Sequence, residues 1–114
     1  MMSKYIGWFA NKRDVEREFH LGENSLDSVN ILLAWYGGGD YDGAAFVLFE
    51  RDGTLYEANG SHCSCYGLED QWEPEETLVE ALVHRIENGH LGRDAYYDEG
   101  CFGNDLLEIL SYHK

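Results

Sequence analysis

The chain has 114 residues, the size of one domain (1–114), and 44% hydrophobic with 14% aromatic content supplies a core and argues against disorder. Eight Lys and Arg face 22 Asp and Glu, a net charge of −14, so the field repels nucleic acid and anionic membranes and attracts basic proteins. Three cysteines argue against a disulfide scaffold, no apolar run reaches the roughly 18 residues of a membrane span, and the N-terminus turns charged too early for a secretory signal, so the expected compartment is the cytoplasm.

Tyr5 to Phe9 predicts a short extended stretch. Asn11 caps a helix with Asp14 at the third position, Val15 and Phe19 share its inner face, and Gly22 is its expected stop. Val29 to Tyr36 is a nearly continuous apolar run, long enough for a buried strand. Residues 37–43, GGGDYDG, predict a loop, and Ala44 to Glu50 a second buried strand. Asp52-Gly53 then signals a two-residue hairpin, because both turn positions of that type need positive φ, and Thr54 to Ala58 returns as a third strand. Residues 59–72 predict a loop.

Pro74 suits a first helical turn. In a helix from there, Leu78, Val79, Leu82, Val83 and Ile86 share one face and Gly89 is the stop. Residues 90–104 predict a loop, and Asp105 to Glu108 has the spacing of a capping box opening a final helix. The expected fold is α+β: a three-stranded antiparallel meander, with an optional N-terminal edge strand, packed against two or three helices.

His62, Cys63 and Cys65 form the candidate metal cluster, with Cys101, His84 and His90 as distant partners. The C-x-C spacing lacks the usual gap of structural zinc sites, so the expectation is no metal and no cofactor, with the cysteines as small packing side chains. A zinc-stabilised interaction module built on His62, Cys63 and Cys65 is the alternative. Nothing marks an enzyme: the acidic field opposes a thiolate, and the hydrolase, zinc-protease and phosphate-loop motifs are missing. Asp40 and Asp42 begin a calcium-like loop but lack its later ligands.

The acids carry the functional expectation. Five basic residues oppose nine acidic ones through Asp52, and three oppose thirteen after it. With helix geometry from residue 73, Glu73, Glu76, Glu80, His84 and Glu87 fall on one outward stripe, with Glu69 and Asp70 upstream. The helix dipole accounts for acids in a first turn but not for Glu80 and Glu87. The expected partner-binding set is therefore Glu69, Asp70, Trp72, Glu73, Glu75, Glu76, Glu80 and Glu87, with Asp40 and Asp42 as a second patch. Carboxylates so arranged can occupy a basic track in place of phosphates, with tryptophan as an aromatic anchor.

The stretch AFVLFERDGTLYEANGSHCSCYGLEDQWEPEET, residues 45 to 77, resembles a segment of small uncharacterised bacteriophage and prophage proteins. Small acidic phage proteins include anti-CRISPR and anti-restriction inhibitors, some of them DNA mimics. The resemblance implies a non-enzymatic inhibitor of a basic, nucleic-acid-handling host defence protein or nucleoprotein complex, acting in the host cytoplasm. An immunity protein that neutralises a basic toxin shares the same physics.

Overall fold

In a computed structural model, the described residues are 3–38, 42–63, 67–89, 91–92 and 102–112. The elements run β1 (Lys4–Gly7), α1 (Lys12–Glu18), β2 (Asn30–Gly38), β3 (Asp42–Arg51), β4 (Thr54–Cys63), β5 (Glu75–Thr77), α2 (Val79–Asn88) and α3 (Gly103–Ser111). The fold is α+β, as expected, but the sheet has five strands in the order β1-β2-β3-β4-β5 rather than three.

The antiparallel meander β2-β3-β4 is the sheet's centre. Asp52 and Gly53 join β3 to β4 with φ of 54° and 82°, the positive pair that this turn requires. On one edge β1 pairs with β2 in parallel. Parallel neighbours need a crossover, and α1 with the turns after it supplies that connection. Asn11 caps α1 through a 3.0 Å bond from the Asp14 N–H, but the helix stops at Glu18, before Gly22. On the other edge β5 pairs antiparallel with β4, Thr77 opposite Leu55 and Glu75 opposite Glu57.

Strand alternation divides the core into two layers. Ala34, Tyr36, Val47, Phe49 and Ala58 face α1 and meet Val15, Phe19, Leu26 and Leu68. Leu33, Trp35, Phe46 and Leu48 face the other way and meet Leu82 and Ile86 of α2 and Leu106, Ile109 and Leu110 of α3. A register shift between Ile31 and Leu33 turns both Leu32 and Leu33 toward α2 and α3, which explains the unbroken apolar run in β2. Burial on both faces favours such runs over alternation. Among the described residues no helix is long and apolar enough to cross a membrane.

Several boundaries differ from expectation: the expected loop 37–43 gives Gly37 and Gly38 to β2 and Asp42 and Gly43 to β3. β4 runs to Cys63, taking Asn59 to Cys63 out of the expected loop. The helix expected from Pro74 starts at Val79, because Glu75 to Thr77 find backbone partners on β4. α3 opens after Phe102 without a side-chain cap bond, so the capping box at Asp105 is not formed. Asp105 instead pairs with Lys4 of β1.

Candidate functional site

α2 lies across the sheet with its apolar stripe, Leu82 and Ile86, pressed onto the strands. Its two flanks have different chemistry. On one, Arg85 Nη1 reaches Glu57 Oε2 at 2.7 Å, and Glu57, only 7% exposed, also accepts from Asn59 Nδ2 at 3.0 Å. That arrangement offsets the like charge of Glu75 across the ladder.

The other flank borders an open groove of about 720 Å³ between α2, β5 and the β3–β4 hairpin. Acids line the groove: Glu50 from β3 and Glu80 and Glu87 from α2, with Glu76 at its β5 edge, where the ladder pairs it with Tyr56 of the α1 layer. Leu55, Val79 and Val83 supply apolar surface between them, and Leu78, 62% exposed, stands at the start of α2. His84 and Asn88 complete the helix side, the Asn88 amide lying 3.3 Å from His84 Nδ1. Among the described residues no lysine or arginine lines this groove.

The described cations are committed elsewhere. Lys4 pairs with Asp105, Arg13 with Glu16 and Asp27, and Arg17 with Asp14 and Glu18. Arg51 sits over the Tyr56 ring at 5.0 Å and Lys12 donates to the Val29 carbonyl. Among the described residues no ion pair engages Glu76, Glu80 or Glu87.

The expected outward stripe is therefore divided. Glu80, His84 and Glu87 keep their places on α2, while Glu76 borders the groove from β5 with the ladder turning its side chain toward the α1 layer. Glu73 is exposed before β5, outside the groove, and Glu75 is exposed on β5 opposite Glu57. Glu69 and Asp70 lie in the turn beside Leu68, in the layer that packs on α1, and the Glu69 carboxylate accepts from the Gly67 N–H at 3.0 Å. Hydrogen bonds from its own N–H and from Gly67 hold the Glu69 carboxyl below the usual range. Gln71 ties this turn to Ser61 by bonds of 2.8 and 2.7 Å, some six residues along β4 from Leu55, about 20 Å away at strand rise. Glu69 and Asp70 therefore stand apart from the groove rather than among its lining residues.

Trp72 is half-buried against the core rather than standing free on the surface. It stacks on Phe49, with centroids 5.6 Å apart, and meets Phe19 edge-on at 5.0 Å. Asp42 opens β3, and Asp40 lies outside the described residues. Glu50 is the groove carboxylate that sequence reasoning missed: it lies inside β3, one residue before its end, and only the tertiary position of α2 gives it acidic neighbours.

The metal alternative gains no geometry. His62 and Cys63 are successive residues of β4 and point to opposite faces, while Cys65, His90 and Cys101 lie outside the described residues. The His62 ring packs between Trp8 and Tyr36, with centroids 5.5 and 5.2 Å away, and its buried Nδ1 has no hydrogen-bond partner among the described residues. Among the described residues no group of three or more His, Cys, Asp or Glu is placed to hold a metal ion. No family of proteins, curated protein or solved structure matches the chain.

Proposed function

We propose that this protein is a non-enzymatic inhibitor that binds a basic, nucleic-acid-handling host defence protein, such as a CRISPR-Cas or restriction complex, through the acid-walled groove beside α2. The supporting observation is that Glu50, Glu80 and Glu87 line one groove that, among the described residues, no lysine or arginine lines. Inhibition is by occupancy: the partner's cations meet carboxylates where they would otherwise meet phosphates. Two turns of α2 separate Glu80 from Glu87, about 10.5 Å of rise, close to three nucleotide steps of about 3.4 Å on one DNA strand. The net charge of −14 adds long-range attraction, which raises the rate of encounter with a basic partner. An immunity protein against a basic toxin would use the same groove, and the identity of the partner separates the two.

The test is capture of partners from a host lysate by the wild-type chain and by a Glu80→Gln/Glu87→Gln variant, at low and high salt. The expected result is a basic partner retained by the wild type at low salt, lost at high salt and weakened by the double substitution. Capture indifferent to both salt and substitution would overturn the reading.

A further inference from the structure

We infer that Asn88-Gly89, at the C-terminal end of α2, is a site of self-modification: Asn88 loses its side-chain amide through a cyclic imide and leaves a new carboxylate in the groove lining. This chemistry stands whether or not the groove takes a basic partner. In the first step the Gly89 backbone nitrogen bonds to Asn88 Cγ, the Cγ–Nδ2 bond breaks, and ammonia leaves with the proton that Gly89 gave up. Water then opens the ring at either carbonyl, giving aspartate or its β-linked isomer. Water is consumed and ammonia released, and nothing is oxidised or reduced.

Glycine makes the reaction accessible because it puts no side chain beside the attacking nitrogen. The chain has two such pairs, Asn59-Gly60 and Asn88-Gly89, and the fold separates them. Asn88 and Gly89 are both exposed. The Gly89 N–H donates to the Arg85 carbonyl at 3.0 Å, but the Leu91 N–H donates to the same oxygen at 3.4 Å. That oxygen keeps a donor when Gly89 lets go, and helix ends open at low cost. Asn88 Nδ2, the leaving nitrogen, lies 3.3 Å from His84 Nδ1, so the imidazole is placed to hand it a proton as ammonia departs. Glu80 and Glu87 line the groove on the same helix as His84, and Glu50 lines it from β3.

Asn59-Gly60 is held against the same reaction. Asn59 Nδ2 donates to Glu57 Oε1 at 3.0 Å, and Arg85 fixes Glu57 in turn. The Ser61 N–H turns outward to Gln71, so by strand alternation the Gly60 N–H turns into the ladder, where Ala45 is its partner residue. Leu68 and Phe19 cover Gly60, since a Cβ there would lie 3.0 and 3.3 Å from them. Attack from this nitrogen requires β3 and β4 to part.

Incubation of the full chain in neutral buffer, sampled over time by trypsin digestion and mass spectrometry, tests this. Cleavage at Arg85 puts the two asparagines in different peptides, 52–85 and 86–93. Peptide 86–93 should become about 1 Da heavier as the amide gives way to a carboxyl, and resolve into aspartate and isoaspartate forms, at least about tenfold faster than peptide 52–85. In chain unfolded by guanidinium the two should convert at similar rates, because only the fold distinguishes them. His84→Ala should slow conversion of Asn88 about tenfold in the folded chain and remove the histidine inflection from its pH–rate profile, with no effect once unfolded. His84→Gln serves if the alanine variant does not fold. Equal rates at the two sites of the folded chain, or an Asn88 that converts only after unfolding, would overturn the inference. A folded His84 variant that keeps the wild-type rate and profile would overturn the proton donation.

Discussion

Glu16 shows how much a single side chain can organise. It is 3% exposed on α1, and its carboxylate accepts from the Leu26 N–H at 2.8 Å, the Asn24 N–H at 3.3 Å and the Arg13 guanidinium at 2.6 Å. The turns between α1 and β2 are folded around this one acceptor. Burial pushes the carboxyl up, but the bonds from Leu26, Arg13 and Asn24 together outweigh it and hold the group below the ordinary range. A folded-state value below the unfolded one means that the stabilisation is complete above the unfolded carboxyl range and is lost as pH falls through the folded value. Glu16→Gln should cost about 2–4 kcal/mol near neutral pH, because a buried charge-assisted network loses its centre. Urea unfolding across pH checks this: the gap between wild type and variant should shrink as the solution is acidified, and a constant gap would count against the assignment. The bonds from Asn24 and Leu26 were not legible in the sequence, since those donors lie eight and ten positions away, whereas Arg13 is three positions away on the same helix. The Asn11 cap and the Asp52-Gly53 turn were legible because their partners are local.

Gly43 carries a constraint of the same kind. A Cβ there would meet His62 Cε1 at 2.2 Å and the Gly37 carbonyl oxygen at 2.4 Å. The ring could rotate away, but the carbonyl belongs to a paired strand and cannot. Gly43→Ala should therefore destabilise the protein by about 1–3 kcal/mol, read as a lower urea midpoint with unchanged slope.

Among elements, the segment from Leu68 to Thr77 departs furthest from its local pattern. Its acids and Pro74 read as the start of a helix, yet Trp72 sinks between Phe49 and Phe19 and β5 pairs with β4. Gln71 acts as a surrogate strand residue, bonding both the N–H and the carbonyl of Ser61. A proline disfavours helical geometry in the residue before it, so Glu73 is extended at little cost. Trp72→Ala should lower stability by about 2–3 kcal/mol and speed amide exchange in β5 and its partner residues Leu55 to Glu57, while exchange in β2 stays slow. Equal acceleration throughout the sheet would show that Trp72 supports the whole core rather than this edge.

At the scale of the molecule, self-repulsion and recognition both arise from the same −14 charge, and salt acts on them in opposite directions. The screening length falls from about 10 Å at 0.1 M to about 3 Å at 1 M, so repulsion among dispersed carboxylates weakens. The melting temperature should rise with salt while affinity for a basic partner falls. Thermal melts and binding measured over one salt series check both, and a melting temperature that falls with salt would mean that the named ion pairs outweigh the repulsion.

The sequence by itself determined the α+β class, the central meander with its turn, the cap of α1, and the stop of α2 with Leu82 and Ile86 on its inner face, though Leu78, expected on that face, is 62% exposed. All of these depend on alternation, helical period or turn chemistry within a few residues. It also fixed the excess of carboxylates, but not their company. Whether Glu50 meets Glu80, whether Glu69 joins them, and whether Trp72 faces solvent depended on contacts between residues far apart in the chain. Only packing on both sides of one sheet decided those, because burying the two apolar layers set where α2 crosses the strands and which acids were left along its open flank.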